Sequence, residues 1–535
     1  MTIDMALPLL VAGPIAIAGL SMIVRRSVIF SSVLLLGTLL SCLAAAIGLV
    51  VRTAGGEVYA HQVGGWIPGV AIPLAADAFS ALVMTVAIFL TLVSALFALQ
   101  VGTGRDPLFA PLVLVLIGGV NGAFLTADLF NLFVFIEVML LPSYGLLILA
   151  RKGRGTLASL IGSRLYVTVN LFISTLFLAG VALVYGLTGT VNFAQLAGAA
   201  RESDLVAAAM AIVLFALMMK AAVVPVHGWL ARSYPATSPA VTAMFSALHT
   251  KVAIYGIYRL YAVVFEGDSR FLWIGVVVFS ATMLIGVLGA VGETRMRSIL
   301  AFHMVSQIGY ILLGVALFTH AGLTAGIAYL LHHMIVKSGL FLSVGALEHT
   351  HGTDTLEDLK GRLRAEPLLA LAFAATALSL AGIPPFSGFV AKFALIVAAI
   401  DAGQVAAVVI ALVVSLITLQ SMLKIFNVGF APTITGPENG TPAAREAPSA
   451  GGTVRPAAGG TVSGSTVAVA AAQASATAAE SGQIAPKVPR AWALPALMLA
   501  VCTLGLGLGA EGLLALAGTA ADGLLDITAY VEALT

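Results

Sequence analysis

The chain has 535 residues, of which 60% are hydrophobic and 9% are charged, and its mean hydropathy is +1.07. Soluble domains carry about 25% charged residues, so this composition excludes a water-soluble protein and indicates a polytopic membrane protein. The formal net charge of +2, without a basic run among aromatics, argues against a nucleic-acid partner. The two cysteines, Cys42 and Cys502, form neither a disulfide framework nor a zinc pattern, and we expect no metal site.

Fourteen apolar segments of the chain are long enough, at about 20 residues, to cross a bilayer as helices. Their continuity excludes the alternation that is typical of a β-barrel. The first segment lacks the basic start and cleavage site of a signal peptide, so we expect it to be retained. The predicted spans are 5–24, 28–51, 77–101, 108–126, 128–150, 161–185, 205–224, 238–264, 271–291, 298–318, 322–347, 367–400, 403–428 and 491–516.

The basic residues of the loops predict the orientation of these spans. If the N terminus is outside, thirteen Lys and Arg residues fall in the inward loops and four at the outward loops and helix ends. The four outward residues are Arg52, Arg201, Arg259 and Arg270. An excess of basic residues marks the cytoplasmic side, so we expect both termini outside.

One internal repeat is visible. The segment Pro225-Val226-His227-Gly228-Trp229-Leu230-Ala231-Arg232 matches Pro385-Phe386-Ser387-Gly388-Phe389-Val390-Ala391-Lys392 at a constant offset of 160 residues. Five predicted spans separate the copies, so they enter the membrane from opposite sides. This pattern predicts an inverted repeat with one Pro/Gly-broken helix in each half, and such helices mark ion paths.

Residues 429–489 differ in composition from the rest of the chain. They are rich in Ala, Gly, Ser, Thr and Pro and contain few large apolar side chains. Such a segment cannot bury enough apolar surface to fold alone. We therefore predict a disordered cytoplasmic linker before the last span.

Apart from the charged residues assigned to loops, helix ends and the linker, six fall in the predicted spans, where a charge at mid-helix costs about 2.5–3.5 kcal/mol. They are Glu137, Lys220, Lys251, Lys337, Lys392 and Lys424. The alternative to a functional role is an ion pair that joins two helices, and Lys424, at a helix end, is expected to reach the membrane surface. The lone carboxylate among several lysines favours function.

Lysine suits proton relay because burial lowers its usual pKa of about 10.4 by up to several units, and a nearby carboxylate raises it again. A movement of Glu137 toward or away from Lys220 would therefore switch the proton affinity of the lysine. Histidines extend this polar set, since His333 and Lys337 are four residues apart on one helix face. His332 and His249 are further candidates, although a buried histidine can also be a packing residue.

Enzyme motifs are poor in this chain. The G-x-G-x-x-G match at residues 507–512 lies in an apolar span without a preceding strand, and we treat it as a chance match. A P-loop, an HExxH motif and a nucleophile elbow are all lacking. We expect a transporter subunit without a cofactor, driven by an ion gradient or by a partner protein.

Several of these segments resemble one membrane-protein family. Residues 126–139, which carry Glu137, are similar to the fifth helix of the D subunit of the Mrp-type multisubunit Na⁺/H⁺ antiporters. Residues 225–241, with the PVHGWL and SYPATSPAV stretches, resemble a motif shared by Mrp subunits and the antiporter-like subunits of respiratory complex I. The stretches HTKVAIY at 249–255 and HHMIVKSGL at 332–340 continue the likeness.

The resemblance implies an all-α fold of about fourteen transmembrane helices, with two inverted five-helix repeats and broken seventh and twelfth helices. It implies that Glu137 and Lys220 form a coupling pair, that Lys251 is a central relay and that Lys392 is the terminal proton site. His332, His333 and Lys337 would link the two halves, and His249 adds to the row. The implied parts are three N-terminal helices (1–107), the two repeats (108–264 and 271–428), the linker (429–489) and a last helix with a tail (490–535).

The resemblance also implies a function. The chain would be the proton-translocating subunit of a Na⁺/H⁺ antiporter in a prokaryotic cell membrane, together with the A, B, C, E, F and G subunits of an Mrp complex. A proton-pumping subunit of complex I or of a membrane-bound hydrogenase is the alternative within transport. An alternative from another class is a structural membrane subunit in which the lysines merely form ion pairs.

Overall fold

The computed structural model describes residues 4–67, 71–149, 157–360, 366–430 and 487–535, and these are predominantly helical. Two short strands, β1 (Tyr59–Gln62) and β2 (Pro73–Ala76), form an antiparallel hairpin. In chain order the helices are α1 (Leu7–Ile23), α2 (Val28–Thr53), α3 (Ala78–Val101), α4 (Phe109–Leu125), α5 (Leu129–Leu149), α6 (Leu157–Thr188), α7 (Ala199–Glu202), α8 (Asp204–Lys220), α9 (Gly228–Ser233), α10 (Pro239–Phe265), α11 (Leu272–Val291), α12 (Met296–Leu317), α13 (His320–His351), α14 (Pro367–Ala381), α15 (Ser387–Asp401), α16 (Val405–Gly429), α17 (Arg490–Leu508), α18 (Ala510–Leu525) and α19 (Thr528–Leu534).

The helices match the fourteen predicted spans. Among the described residues, eleven helices are long and apolar enough to cross a membrane. The shorter apolar helix α4 and the two interrupted helices, α8 with α9 and α14 with α15, complete the fourteen. On the outside of the bundle, α2 exposes large apolar side chains such as Ile29 and Phe30, as a lipid-facing helix does. The chain is thus a multi-pass membrane protein, and its division into five parts stays a prediction.

Two features of the fold differ from the prediction or extend it. The hairpin of β1 and β2 was not expected, and its turn contains Gly64 and Gly65, both with positive φ. The last span ends at Leu508 instead of near residue 516, because the helix is interrupted at Gly509 and a separate helix, α18, begins at Ala510. The predicted linker lies almost wholly outside the described residues.

The helices α10 and α13 occupy the centre of the bundle. Every residue of α10 is buried, and α13 is buried from Gly322 to Leu347 except at Thr324. Helices without a polar stripe have no face suited to water, and these two are enclosed on all sides by other helices. Their central position matters because α10 carries Lys251 and α13 carries Lys337.

A buried ion pair holds α10 against α3. Arg259 Nη2 lies 2.6 Å from Asp77 Oδ2, and the side chains are 1% and 8% exposed. The guanidinium also lies 4.4 Å from the ring centroid of Tyr530 on α19, a cation–π contact. The sequence prediction groups Arg259 with the outward loops and helix ends and gives it no partner. In the structure it lies six residues before the end of α10 at Phe265 and is enclosed by its partners.

Asp77→Ala should lower the free energy of unfolding by about 3–5 kcal/mol, because it leaves the buried guanidinium of Arg259 without its carboxylate. The control is Arg201→Ala, which breaks the exposed pair with Glu266 and should have little effect. Thermal unfolding of the purified complex measures both. Equal midpoints for the two variants would contradict the assignment of a buried pair.

Candidate functional site

The first broken helix interrupts regular helical backbone between α8 and α9. Between Lys220 at the end of α8 and Gly228 at the start of α9, Ala222 adopts a left-handed φ of 61°. The freed backbone groups find side-chain partners: Trp229 Nε1 donates to the Met219 carbonyl at 3.0 Å, and Val224 N donates to Thr282 Oγ1 at 3.2 Å. Irregular backbone at membrane depth is tolerated when it is buried in protein in this way.

The second broken helix is closed by the last span. Gly388 on α15 packs so closely on α14 that a Cβ there would overlap the Ser379 carbonyl oxygen. Gly507 on α17 makes a similarly close approach to the Pro385 carbonyl oxygen. Thr503 on α17 lies within hydrogen-bond distance of the Ser379 and Ser387 hydroxyls, at 2.6 and 2.7 Å. Gly507, the first glycine of the G-x-G-x-x-G match, is therefore a packing residue.

Glu137 on α5 and Lys220 on α8 form no direct ion pair with each other. Lys220 is 1% exposed, and its Nζ donates to Asn170 Oδ1 at 3.0 Å. A carboxylate oxygen of Glu137 accepts a hydrogen bond from the Ser174 hydroxyl. Asn170 and Ser174 are one turn apart on α6, so this helix bridges the predicted pair. The two charges still interact electrostatically across the gap.

His249 belongs to the same polar layer. Its Nδ1 lies 2.9 Å from the Tyr166 hydroxyl and its Nε2 lies 2.8 Å from the Ser143 hydroxyl. Tyr166 is also on α6, one turn before Asn170, whose amide donates to the Tyr166 carbonyl at 2.8 Å. Residues 166, 170 and 174 thus present a polar stripe on one face of α6.

The central residues lie where α10 meets α13. Lys251 Nζ donates to Thr250 Oγ1 at 3.1 Å, and Lys337 Nζ donates to the Leu300 carbonyl at 3.0 Å. Both lysines are fully buried. His333 interacts electrostatically with each of them, and its two ring nitrogens have no hydrogen-bond partner in the described part of the chain. A histidine placed between two lysines can pass a proton in either direction.

The last candidates lie at the second break. His332 Nδ1 is 2.8 Å from the Ser387 hydroxyl, and its imidazole interacts electrostatically with Lys392. Lys392 Nζ donates to the Ala381 carbonyl at 3.2 Å and to Ser415 Oγ at 3.0 Å. The ammonium also lies 4.8 Å from the ring centroid of Tyr310. Lys392 is therefore tied to both sides of the break and to α16.

The structure places all eight predicted site residues within the bundle, in an order that runs from α5 through α8, α10 and α13 to α15. Seven of them are buried, and Glu137 is half-buried. Sequence reasoning missed the uncharged partners on α6, Asn170 and Ser174, together with Tyr166 and Ser143. Their signal was weak, since a lone Ser or Asn in an apolar span is common, but the four-residue spacing from 166 to 174 could have revealed a polar stripe.

The polar row lies almost entirely within one recognisable segment. Residues 126–418 match the family described as NADH:quinone oxidoreductase/Mrp antiporter, TM. The chain belongs to this family.

Three proteins are similar to this chain over most of their length. The Na⁺/H⁺ antiporter D subunit of Alkalihalophilus pseudofirmus is 41% identical over 69% of this chain and 75% of that protein. A chain of the Mrp complex from Dietzia sp. DQ12-45-1b is 55% identical, with a TM-score of 0.89 over all of both chains. A chain of respiratory complex I from Thermus thermophilus shares the fold, with 23% identity and a TM-score of 0.68 over 94% of this chain and 98% of that one.

A pair of glycines on α17 tests the closure of the second break. Gly507→Ala should displace α17 from the break and reduce both complex assembly and transport, because its Cβ would meet the Pro385 carbonyl. Gly505→Ala on the same helix meets nothing within 4 Å and should be neutral or slightly stabilising. Co-purification of partner subunits and vesicle transport assays measure the difference. Equal behaviour of the two variants would contradict the packing role.

Proposed function

We propose that this chain is the proton-translocating subunit of a multisubunit Na⁺/H⁺ antiporter of the Mrp type. The observation that carries the proposal is the row of four buried lysines, Lys220, Lys251, Lys337 and Lys392, each bonded to an uncharged oxygen. The 41% identity to a protein named as the D subunit of a Na⁺/H⁺ antiporter supports the same function. A structural subunit would instead pair its lysines with carboxylates.

Uncharged acceptors are what a proton relay needs. When a buried lysine bound to a carboxylate loses its proton, it leaves an uncompensated buried charge, at a cost of about 3–5 kcal/mol for a broken pair. A lysine bound to an amide, a hydroxyl or a carbonyl leaves no such charge. Each of the four lysines can therefore alternate between ammonium and amine without leaving a buried, uncompensated charge on its hydrogen-bond partner.

The proposed route follows the geometry of the row. Protons enter at the layer of Glu137, Lys220 and His249, where the carboxylate acts on the charge of Lys220. They pass to Lys251 and through His333 to Lys337, the three groups that interact where α10 and α13 meet.

The final steps of the route lie at the second break. His332 links the central groups to Lys392, since it contacts Ser387 on α15 and interacts with the Lys392 charge. Lys392 is the terminal site in this proposal. No resident cofactor is needed for such a route, and the ions that move are H⁺ and Na⁺.

The setting of the proposed function is a hetero-oligomeric complex with the other Mrp subunits, of types A, B, C, E, F and G, in a prokaryotic cell membrane. The full-length structural match to a chain of an Mrp complex supports this assembly. The loop charges support an N terminus on the outer side. Transport is therefore tested with the whole complex in everted membrane vesicles.

Glu137→Gln should abolish Na⁺-dependent dissipation of a pH gradient in vesicles, while the complex still assembles. Glutamine keeps the volume of the side chain and removes its charge, so Lys220 loses the group that switches it. The control is Glu202→Gln at the exposed end of α7, which should transport normally. Near-normal exchange by an assembled Glu137→Gln complex would remove Glu137 from the mechanism.

Lys392→Arg should also stop transport, because a guanidinium stays protonated at any accessible pH. Lys392→His should retain more activity than the arginine variant, since imidazole can titrate. Lys424→Arg is the matched control: Lys424 is exposed, donates to the Val291 and Glu293 carbonyls and should tolerate the change. An active Lys392→Arg complex would show that the lysine serves only as a fixed cation.

A further inference from the structure

The stripe on α6 separates the two members of the predicted coupling pair. Asn170 is 1% exposed and Ser174 is 8% exposed, so both are buried in the protein beside Lys220 and Glu137. Their chemistry is complementary to the charges: the amide oxygen accepts from the ammonium, and the hydroxyl donates to the carboxylate. Each charge thus has its own dipolar partner and does not need the other.

We propose that Asn170 and Ser174 are positioning residues that hold Glu137 and Lys220 apart and thereby set the pH at which the antiporter works. This inference rests on the proposed function, because it assigns a role within the proton route. Asn170 and Ser174 neither bind the transported protons nor belong to the relay. The two residues act through the groups that they hold.

The physical basis is the difference between a dipole and a full charge. A carboxylate in contact with an ammonium stabilises its charged form strongly, whereas an amide oxygen does so more weakly. While Asn170 holds the ammonium, Lys220 can still release its proton. If a carboxylate at position 170 or that of Glu137 came into direct contact, Lys220 would keep its proton to a higher pH.

The charged groups around Lys220 are few in the described part of the chain. Glu137 acts on it from α5 and His249 interacts with it from α10. Glu137 in turn interacts with the Tyr144 hydroxyl on its own helix. The charged residues of α7 stand at the other end of α8, about 24 Å along the helix axis. Any effect of α6 on Lys220 is therefore added to the electrostatic effects of Glu137 and His249.

Asn170→Asp is the decisive variant, because it places a carboxylate where the amide oxygen now accepts from Lys220 at 3.0 Å. The pH dependence of Na⁺-driven proton movement, measured with the whole complex in everted vesicles, should shift to higher pH by about one unit or more. A merely structural role predicts a lower rate at every pH and no shift. An unshifted profile in an assembled Asn170→Asp complex overturns the proposal.

Ser174→Ala provides the second test, in case the aspartate variant does not assemble. Loss of the hydroxyl donor frees Glu137 to approach Lys220, so we expect a smaller shift in the same direction. Thr175→Ala is the matched control, since Thr175 is exposed and its hydroxyl donates to the Leu171 carbonyl of its own helix, at 3.0 Å. It should leave the profile unchanged, and a profile shared by the Ser174→Ala and Thr175→Ala complexes overturns the role of Ser174.

The failure of this proposal is distinguishable from the failure of the proposed function. If Glu137→Gln and Lys392→Arg both retain transport, the relay itself is wrong. If those variants are inactive but neither α6 variant shifts the pH profile, the relay stands and α6 serves only as packing.

Discussion

The structure depends on the burial of four lysine side chains in the interior of a membrane protein. A buried charge must be matched by polar groups, and here those groups are an amide, two hydroxyls and two backbone carbonyls. The buried arginines follow the opposite rule: Arg259 pairs with Asp77 and Arg297 with Glu348, at 2.6 and 3.1 Å. Permanent cations therefore have carboxylate partners, and the lysines, which can lose a proton, have none among the described residues.

The buried arginines and the buried lysines also lie in different parts of the bundle. Arg259 joins α10 to α3, and Arg297 Nη2 reaches the Tyr234 carbonyl at 3.1 Å and Thr242 Oγ1 at 2.8 Å, which fixes the segment after α9. These pairs give the bundle rigid points at which helices cannot slide. Lys251 and Lys337 lie on α10 and α13, the two enclosed helices, and Lys220 and Lys392 are themselves buried, so the environment of all four is set by protein and not by lipid.

The sequence was sufficient to predict the membrane spans, but it did not predict the contacts between them. Long apolar runs fix the helices because no other element satisfies its backbone in lipid, and Pro-Gly segments fixed the two breaks. The hairpin of β1 and β2 has no comparable constraint, since it lies outside the apolar runs. The pairing of Arg259 was not predicted because its partner, Asp77, is 182 residues away in the chain.

The partners on α6 were missed for a related reason. Asn170 and Ser174 are identified by what faces them, Lys220 and Glu137, and the pattern of a single helix cannot say which of its neighbours presents a charge. Charged residues in a span stand out because their burial is costly, whereas buried amides and hydroxyls are common. The sequence therefore predicted the charged groups of the proposed relay but not the uncharged residues that bind them.

Each break brings a lysine to the C-terminal end of a half-helix. Lys220 is the last residue of α8, and the Lys392 ammonium binds the carbonyl of Ala381, the last residue of α14. The C-terminal end of a helix carries a partial negative charge of about half an electron, from carbonyls that have no partner within the helix. Each half-helix thus offers a fixed, partial counter-charge where a carboxylate would bind the ammonium too firmly. Breaking a helix in the membrane creates these ends, so the irregular backbone and the buried lysine occur together, once at each break.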